Sequence, residues 1–174
     1  MRTNALGNDG MTVVLRLLTP PNRLACMVSL ATGLRIGDVL SLRSDCLSKD
    51  SFVITEEKTG KRRKVRLAEG LREALARQAG RVFVFEGRTS MYKHRTRQAV
   101  YKDIKRAAKA ARLNGCIGAH SMRKTFAVRK YAACGDMRKV QKLLQHSNEA
   151  VTMLYVLADV VEFADFHEPF IQRT

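Results

Sequence analysis

At 174 residues, with 45% apolar and 28% charged side chains, the chain is long enough for one domain with a real core and carries no signature of disorder. Its 32 lysines and arginines against 16 acids leave a formal charge of +16, an excess that points first to nucleic acid and second to an anionic membrane surface. No apolar run approaches the length of a membrane span, residues 1–9 hold no apolar signal segment, and Cys26, Cys46, Cys116 and Cys134 form neither a CxxC pair nor a zinc-type spacing. The cysteines read as small buried hydrophobes or incidental thiols, and the expectation is a soluble, intracellular, basic domain.

Residues 1–10 are polar and read as a flexible N-terminus, with 11–174 as one domain. An apolar helix over 11–18 stops at Pro20-Pro21, and a second runs over about 22–32, with Gly33 as its stop. A short helix over 36–42 follows. Phe52-Val53-Ile54-Thr55 and Val65-Arg66-Leu67 alternate as strands, so the cationic, glycine-containing stretch between them predicts a β-hairpin with an exposed basic tip. A helix over 69–78, a third strand at 82–85 and a long basic helix over 95–112 come next. Helices over about 121–133, 136–145 and 148–158 complete the reading, with Asp136 and Ser147 as caps. Phe163, Phe166 and Phe170 then recur at helical spacing, fitting either a neighbouring protomer or this chain's own core. The fold class is mainly α with a small antiparallel β-hairpin or three-stranded sheet.

Basic clusters at 58–66, 88–112 and 123–142 are solvated helix faces in part, but a merely soluble surface mixes both signs of charge. With no tryptophan, 4 tyrosines and 7 phenylalanines there is little to build a stacking platform for single strands, so duplex phosphate contact suits the composition better. His120 and Arg123, three apart, share one side of a helix start. The pair reads either as a capping histidine beside a surface arginine or as two cations facing a phosphate. His146 precedes the Ser147 cap, and Tyr155 reads alone as a core tyrosine with a satisfied hydroxyl. The acids show no clustered arrangement of the kind a metal-dependent nuclease needs. No amphipathic helix presents the large exposed apolar residues of a membrane-surface protein.

Taken in order, these residues resemble the tyrosine recombinase, or phage integrase, family. Thr32-Gly33-Leu34-Arg35-Ile36-Gly37-Asp38-Val39-Leu40-Ser41-Leu42 is similar to its first box, Thr-Gly-x-Arg-x-x-Glu-x-x-x-Leu. His120-Ser121-Met122-Arg123-Lys124-Thr125-Phe126-Ala127 resembles its His-x-x-Arg box. Leu143-Leu144-Gln145-His146-Ser147 and Thr152-Met153-Leu154-Tyr155 resemble its terminal Leu-Gly-His-Ser … Tyr box, and Lys58-Thr59-Gly60 falls where the family carries its hairpin lysine. The resemblance spans roughly 11–165. Asp38 stands in place of the usual Glu, and Gln145 in place of a common Gly, which costs strain if the backbone there needs a positive φ.

The resemblance implies the catalytic-domain fold of these DNA breaking-rejoining enzymes and site-specific recombination or integration through a 3′-phosphotyrosine on Tyr155. Arg35 and Arg123 would clamp the non-bridging oxygens. His146 would donate to the phosphate, His120 would act as acid or base, and Lys58 would protonate the leaving 5′-oxygen. Cleavage would be metal-free and need no cofactor. Double-stranded DNA is the expected partner, with self-association into a tetramer on it and no membrane. The expected place is the cytoplasm, at the nucleoid, in a bacterium, phage or other mobile element. The family's N-terminal core-binding domain is expected to be absent, leaving a catalytic-domain fragment or a natural minimal protein. Two further readings stay open: a non-catalytic DNA-binding accessory or regulatory protein of the same family, and a type IB topoisomerase-like enzyme.

Overall fold

The computed structural model describes residues 6–145. The sequence readings of His146, Tyr155, the helix over 148–158 and the Phe163/Phe166/Phe170 segment lie outside the described residues. The helices are α1 (Asn8–Leu17), α2 (Pro20–Thr32), α3 (Ile36–Leu40), α4 (Glu69–Gln78), α5 (Arg97–Ala110), α6 (Ala119–Cys134) and α7 (Met137–Leu144). A 3-10 helix, Ser44–Ser48, leads into the hairpin of β1 (Ser51–Thr55) and β2 (Arg62–Arg66).

Helix α1 starts three residues ahead of the predicted Met11, and Leu6 before it is buried, with its N–H donating to Thr125 Oγ1 at 3.2 Å. Leu6 is thus held against α6, within the stretch 1–10 that composition reads as a flexible terminus. Met11, Val14 and Leu18 form the buried stripe of α1, which lies on α5. The two prolines sit inside the first turn of α2, where a missing N–H costs nothing, so this helix begins two residues earlier than Asn22. Its C-terminus closes on Gly33 at φ 70°, as the stop signal predicts. Helix α2 packs chiefly on α6, with α3 and α4 also against it. Val100, Ile104, Ala107 and Ala108 bury the inner face of α5.

The hairpin pairs Ser51 with Arg66, Phe52 with Val65 and Ile54 with Arg63. Phe52 and Val65 are both buried. The period of two then sends Arg63 to the same inward side as Val65. The predicted third strand at 82–85 does not form. Phe83 makes only an isolated bridge to Arg43, while Ser44 N–H donates to the Val82 carbonyl and Val84 N–H to that of Leu42. The sheet has two strands. Of the cysteines, Cys26 is fully buried and its thiol is pushed up to about 12 by burial and by nearby Asp103. Cys46 and Cys116 are half-buried and Cys134 is exposed. Among the described residues no helix is long and apolar enough to cross a membrane.

Candidate active site

The site is built on the turn between α2 and α3. Gly33 adopts the left-handed conformation, and a Cβ there would lie 2.5 Å from the Phe126 ring of α6, so both backbone angle and space require glycine. Thr32 Oγ1 donates to the Val28 carbonyl and accepts the Leu34 N–H, while Ser29 Oγ donates to the Leu34 carbonyl. This knitted turn delivers Arg35 in extended conformation at the N-cap of α3.

Arg35 Nη1 donates to Glu56 Oε2 at 2.5 Å, pairing a guanidinium that is 19% exposed with a fully buried carboxylate. Glu56 Oε1 lies 3.8 Å from Arg63 Nη1, and Arg63 Nη2 donates to the Thr32 carbonyl. Part of the hairpin charge that the sequence reading leaves exposed is therefore turned inward, where burial lowers the Arg63 pKa against the pull of Glu56. Lys61, Arg62, Lys64 and Arg66 remain exposed. Lys58 is also exposed, on a tight turn that Gly60 closes at φ 64° with its N–H on the Glu56 carbonyl. Asp38, in the first turn of α3, accepts the Glu57 N–H on Oδ1 at 2.9 Å. Burial raises the Asp38 pKa and Glu56 adds to that, against the Glu57 hydrogen bond and the opposing fields of Arg35 and Arg123.

Arg123 is buried to 2% exposure, among the most enclosed large side chains described. Nη1 donates to the Gly33 carbonyl at 2.7 Å and Nη2 to the Leu144 carbonyl at 2.5 Å. One planar fork thereby joins the Arg35 turn, α6 and the end of α7. His120, one turn earlier on α6, keeps an exposed edge; packing of the surrounding protein lowers its pKa, and Arg123, Arg35 and Lys58 lower it further. Arg35, Lys58 and Arg123, spread over almost ninety residues of sequence, thus all act on the one imidazole of His120. Three cations thus lie around His120, with Glu56 and Asp38 as the buried acids described beside them.

A family model described as "Phage integrase family" matches residues 14–160. The chain belongs to this family. The probable integrase/recombinase YoeC of Bacillus subtilis (strain 168) is 33% identical over 133 residues, covering 74% of this chain and 72% of YoeC. The tyrosine recombinase XerD of Rhizobium meliloti (strain 1021) is 32% identical over 135 residues, covering 72% of this chain but 43% of XerD. Among solved structures, the XerH site-specific recombinase bound to palindromic difH substrate, a post-cleavage complex, superposes with a TM-score of 0.72 at 22% identity. That match covers 92% of this chain and 51% of the XerH chain. The chain therefore spans about half the length of XerD and XerH, and the fold is the family's catalytic fold.

Of the residues the sequence marks, Arg35, Lys58, His120 and Arg123 gather, while His146 and Tyr155 lie outside the described residues. Gln145, immediately before His146, sits at φ 50° and ψ 37°, the left-handed conformation in which a glycine is at ease. Sequence reasoning passed over Glu56 and Arg63. The available signal was that Glu56 and Glu57 are the only acids in the cationic stretch 51–68.

Proposed function

We propose that residues 11–174 are the catalytic domain of a tyrosine recombinase that cuts and rejoins duplex DNA through a 3′-phosphotyrosine intermediate. The observation that carries this reading is that Arg123 is bonded to the Gly33 carbonyl beside Arg35, and Arg35 to Glu56 at the base of the Lys58 turn, with the field of all three cations felt by His120, in a chain of this family.

In the cleavage step the Tyr155 oxygen bonds to phosphorus, the bond to the 5′-oxygen breaks, and the phenolic proton passes to a base. His120 suits that base because its depressed pKa keeps the imidazole neutral and able to accept at neutral pH. Lys58 gives the leaving 5′-oxygen its proton, which an ammonium can do and a guanidinium effectively cannot. Arg35 faces the charge that develops on the non-bridging oxygens. Arg123 joins Arg35 at the phosphate and, with two donors on backbone carbonyls, holds the turn and the α7 end in register. His146 adds a further donor to the phosphate. The rejoining step runs the same transfers backwards and conserves the phosphodiester, so neither a metal nor ATP is required.

Double-stranded DNA is the substrate, held by the basic hairpin and the exposed cations of α5 and α7, and assembly on it is a tetramer, with bacterial chromosomal or mobile DNA as the setting. The accessory-protein and topoisomerase readings gain no observation from the site. Single-turnover cleavage of a nicked duplex tests the proposal: Arg35→Ala lowers the rate by about 10²–10³ with little change in duplex affinity. An effect confined to affinity would show that Arg35 only contacts phosphate.

A further inference from the structure

We propose that Glu56 is a positioning residue for strand cleavage, holding the Arg35 guanidinium against the turn that carries Lys58; the inference rests on the recombinase reading. Three observations carry it. The Glu56 side chain is fully buried, with Oε2 accepting both Arg35 Nη1 at 2.5 Å and Thr59 Oγ1 at 3.2 Å. Its backbone sets the same turn from within, its carbonyl accepting the Gly60 N–H at 2.8 Å and its N–H donating to the Lys61 carbonyl at 3.0 Å. Its second oxygen is 3.8 Å from Arg63 Nη1, and Arg63 is itself tied to Thr32, three residues before Arg35.

A buried carboxylate is costly unless paired, and burial of an ion pair adds little net stability over an apolar pair of the same size. What the arrangement supplies is geometry. Arginine has many rotamers, and fixing its plane before substrate arrives removes an entropy cost from the bound state. Glu56 engages Nη1 and leaves the other N–H donors of Arg35 for an incoming phosphate. Because Arg35 and Arg63 share this one carboxylate, the cluster stays net positive toward an anion. Thr59, hydrogen-bonded to the same oxygen, follows Lys58 directly, so Glu56 couples the oxyanion clamp to the proton donor. Asp38 braces the turn from the other side through the Glu57 N–H.

The test is single-turnover cleavage of a nicked duplex by the full chain in EDTA, with wild type, Glu56→Gln, Arg35→Ala and the double variant compared. Duplex affinity and melting temperature are read alongside. Glu56→Gln is expected to lower the cleavage rate by about 10- to 100-fold with affinity changed less than about threefold. In the Arg35→Ala background the same change should add less than about threefold, because Glu56 then has no clamp to hold. A Glu56→Gln rate within about twofold of wild type, or an undiminished loss on top of Arg35→Ala, would overturn the inference. Should Glu56→Gln melt below the assay temperature, Glu56→Asp takes its place: it keeps the charge with a shorter reach. A reduced rate at unchanged affinity is then expected, and a wild-type rate overturns the inference. A wild type that binds duplex but forms no adduct overturns the recombinase reading and this inference together, whereas normal wild-type cleavage with an unaffected Glu56 variant overturns the inference alone.

Discussion

Gln145 carries a side chain where the backbone turns left-handed at φ 50°, a conformation that costs an L-residue about 1–2 kcal/mol. Its side chain makes a long contact, Nε2 to the Arg62 carbonyl at 3.5 Å, which contributes little. Glycine would remove the clash but lose about 0.5–1 kcal/mol of unfolded-state advantage. Gln145→Gly should therefore raise stability by about 0.5–1 kcal/mol, read as a higher denaturant midpoint at unchanged slope. A lower midpoint would show that the Arg62 contact outweighs the strain. The resemblance at this box made the strain foreseeable from sequence. Glu56 had only a weak compositional signal, because an acid in a cationic run reads as solvated, and the hairpin register and the Arg35 turn together bury it.

At the scale of elements, one carboxylate joins the start of α2 to α5, and the Arg106 it holds reaches the Leu17 carbonyl at the end of α1. Asp103 Oδ2 accepts the Thr19 N–H, Thr19 Oγ1 and Asn22 Nδ2 at 2.9, 2.7 and 2.7 Å, while Oδ1 accepts the Arg106 side chain at 2.6 Å. Burial alone would raise its pKa, but these hydrogen bonds from Asn22, Thr19 and Arg106 hold it at about 2. A depressed carboxyl stabilises the fold above its unfolded value near 4, and this contribution of about 2 kcal/mol is lost as pH falls through 2. Asp103→Asn should be less stable than wild type by about 1–3 kcal/mol at pH 7, with the gap narrowing between pH 4 and pH 2. A gap that stays constant with pH would place the stabilisation elsewhere. The helices themselves were largely legible, since Pro20, Gly33 and Asp136 punctuate the chain by local rules. Val82 to Phe85 misled because a short apolar run has the same composition in a strand as in a buried connection. Here Gly80 N–H donates to the Phe83 carbonyl and Arg95 N–H to that of Phe85, so the run curls before it can extend a ladder.

For the whole molecule, the decisive contacts are those that no local pattern encodes. Arg123 reaches back ninety residues to the Gly33 carbonyl, and Gly33 in turn accommodates Phe126 with no room for a Cβ. The order of boxes along the sequence implied that such residues meet; the physical reason is that α2 and α6 pack as neighbours and bring their ends together. The charge of +16 then supplies a surface on which a polyanion is the natural partner, and it also makes bare binding a weak discriminator between an enzyme and an accessory protein. Covalent chemistry discriminates. The most direct measurement incubates wild type and Tyr155→Phe with a nicked duplex from which the cleaved 5′ piece diffuses away, in EDTA, and resolves the products on a denaturing gel. A DNA-linked protein band with wild type and none with Tyr155→Phe, at equal duplex binding, is the predicted result. An equal band from Tyr155→Phe, or none from a wild type that binds the duplex, would contradict the account.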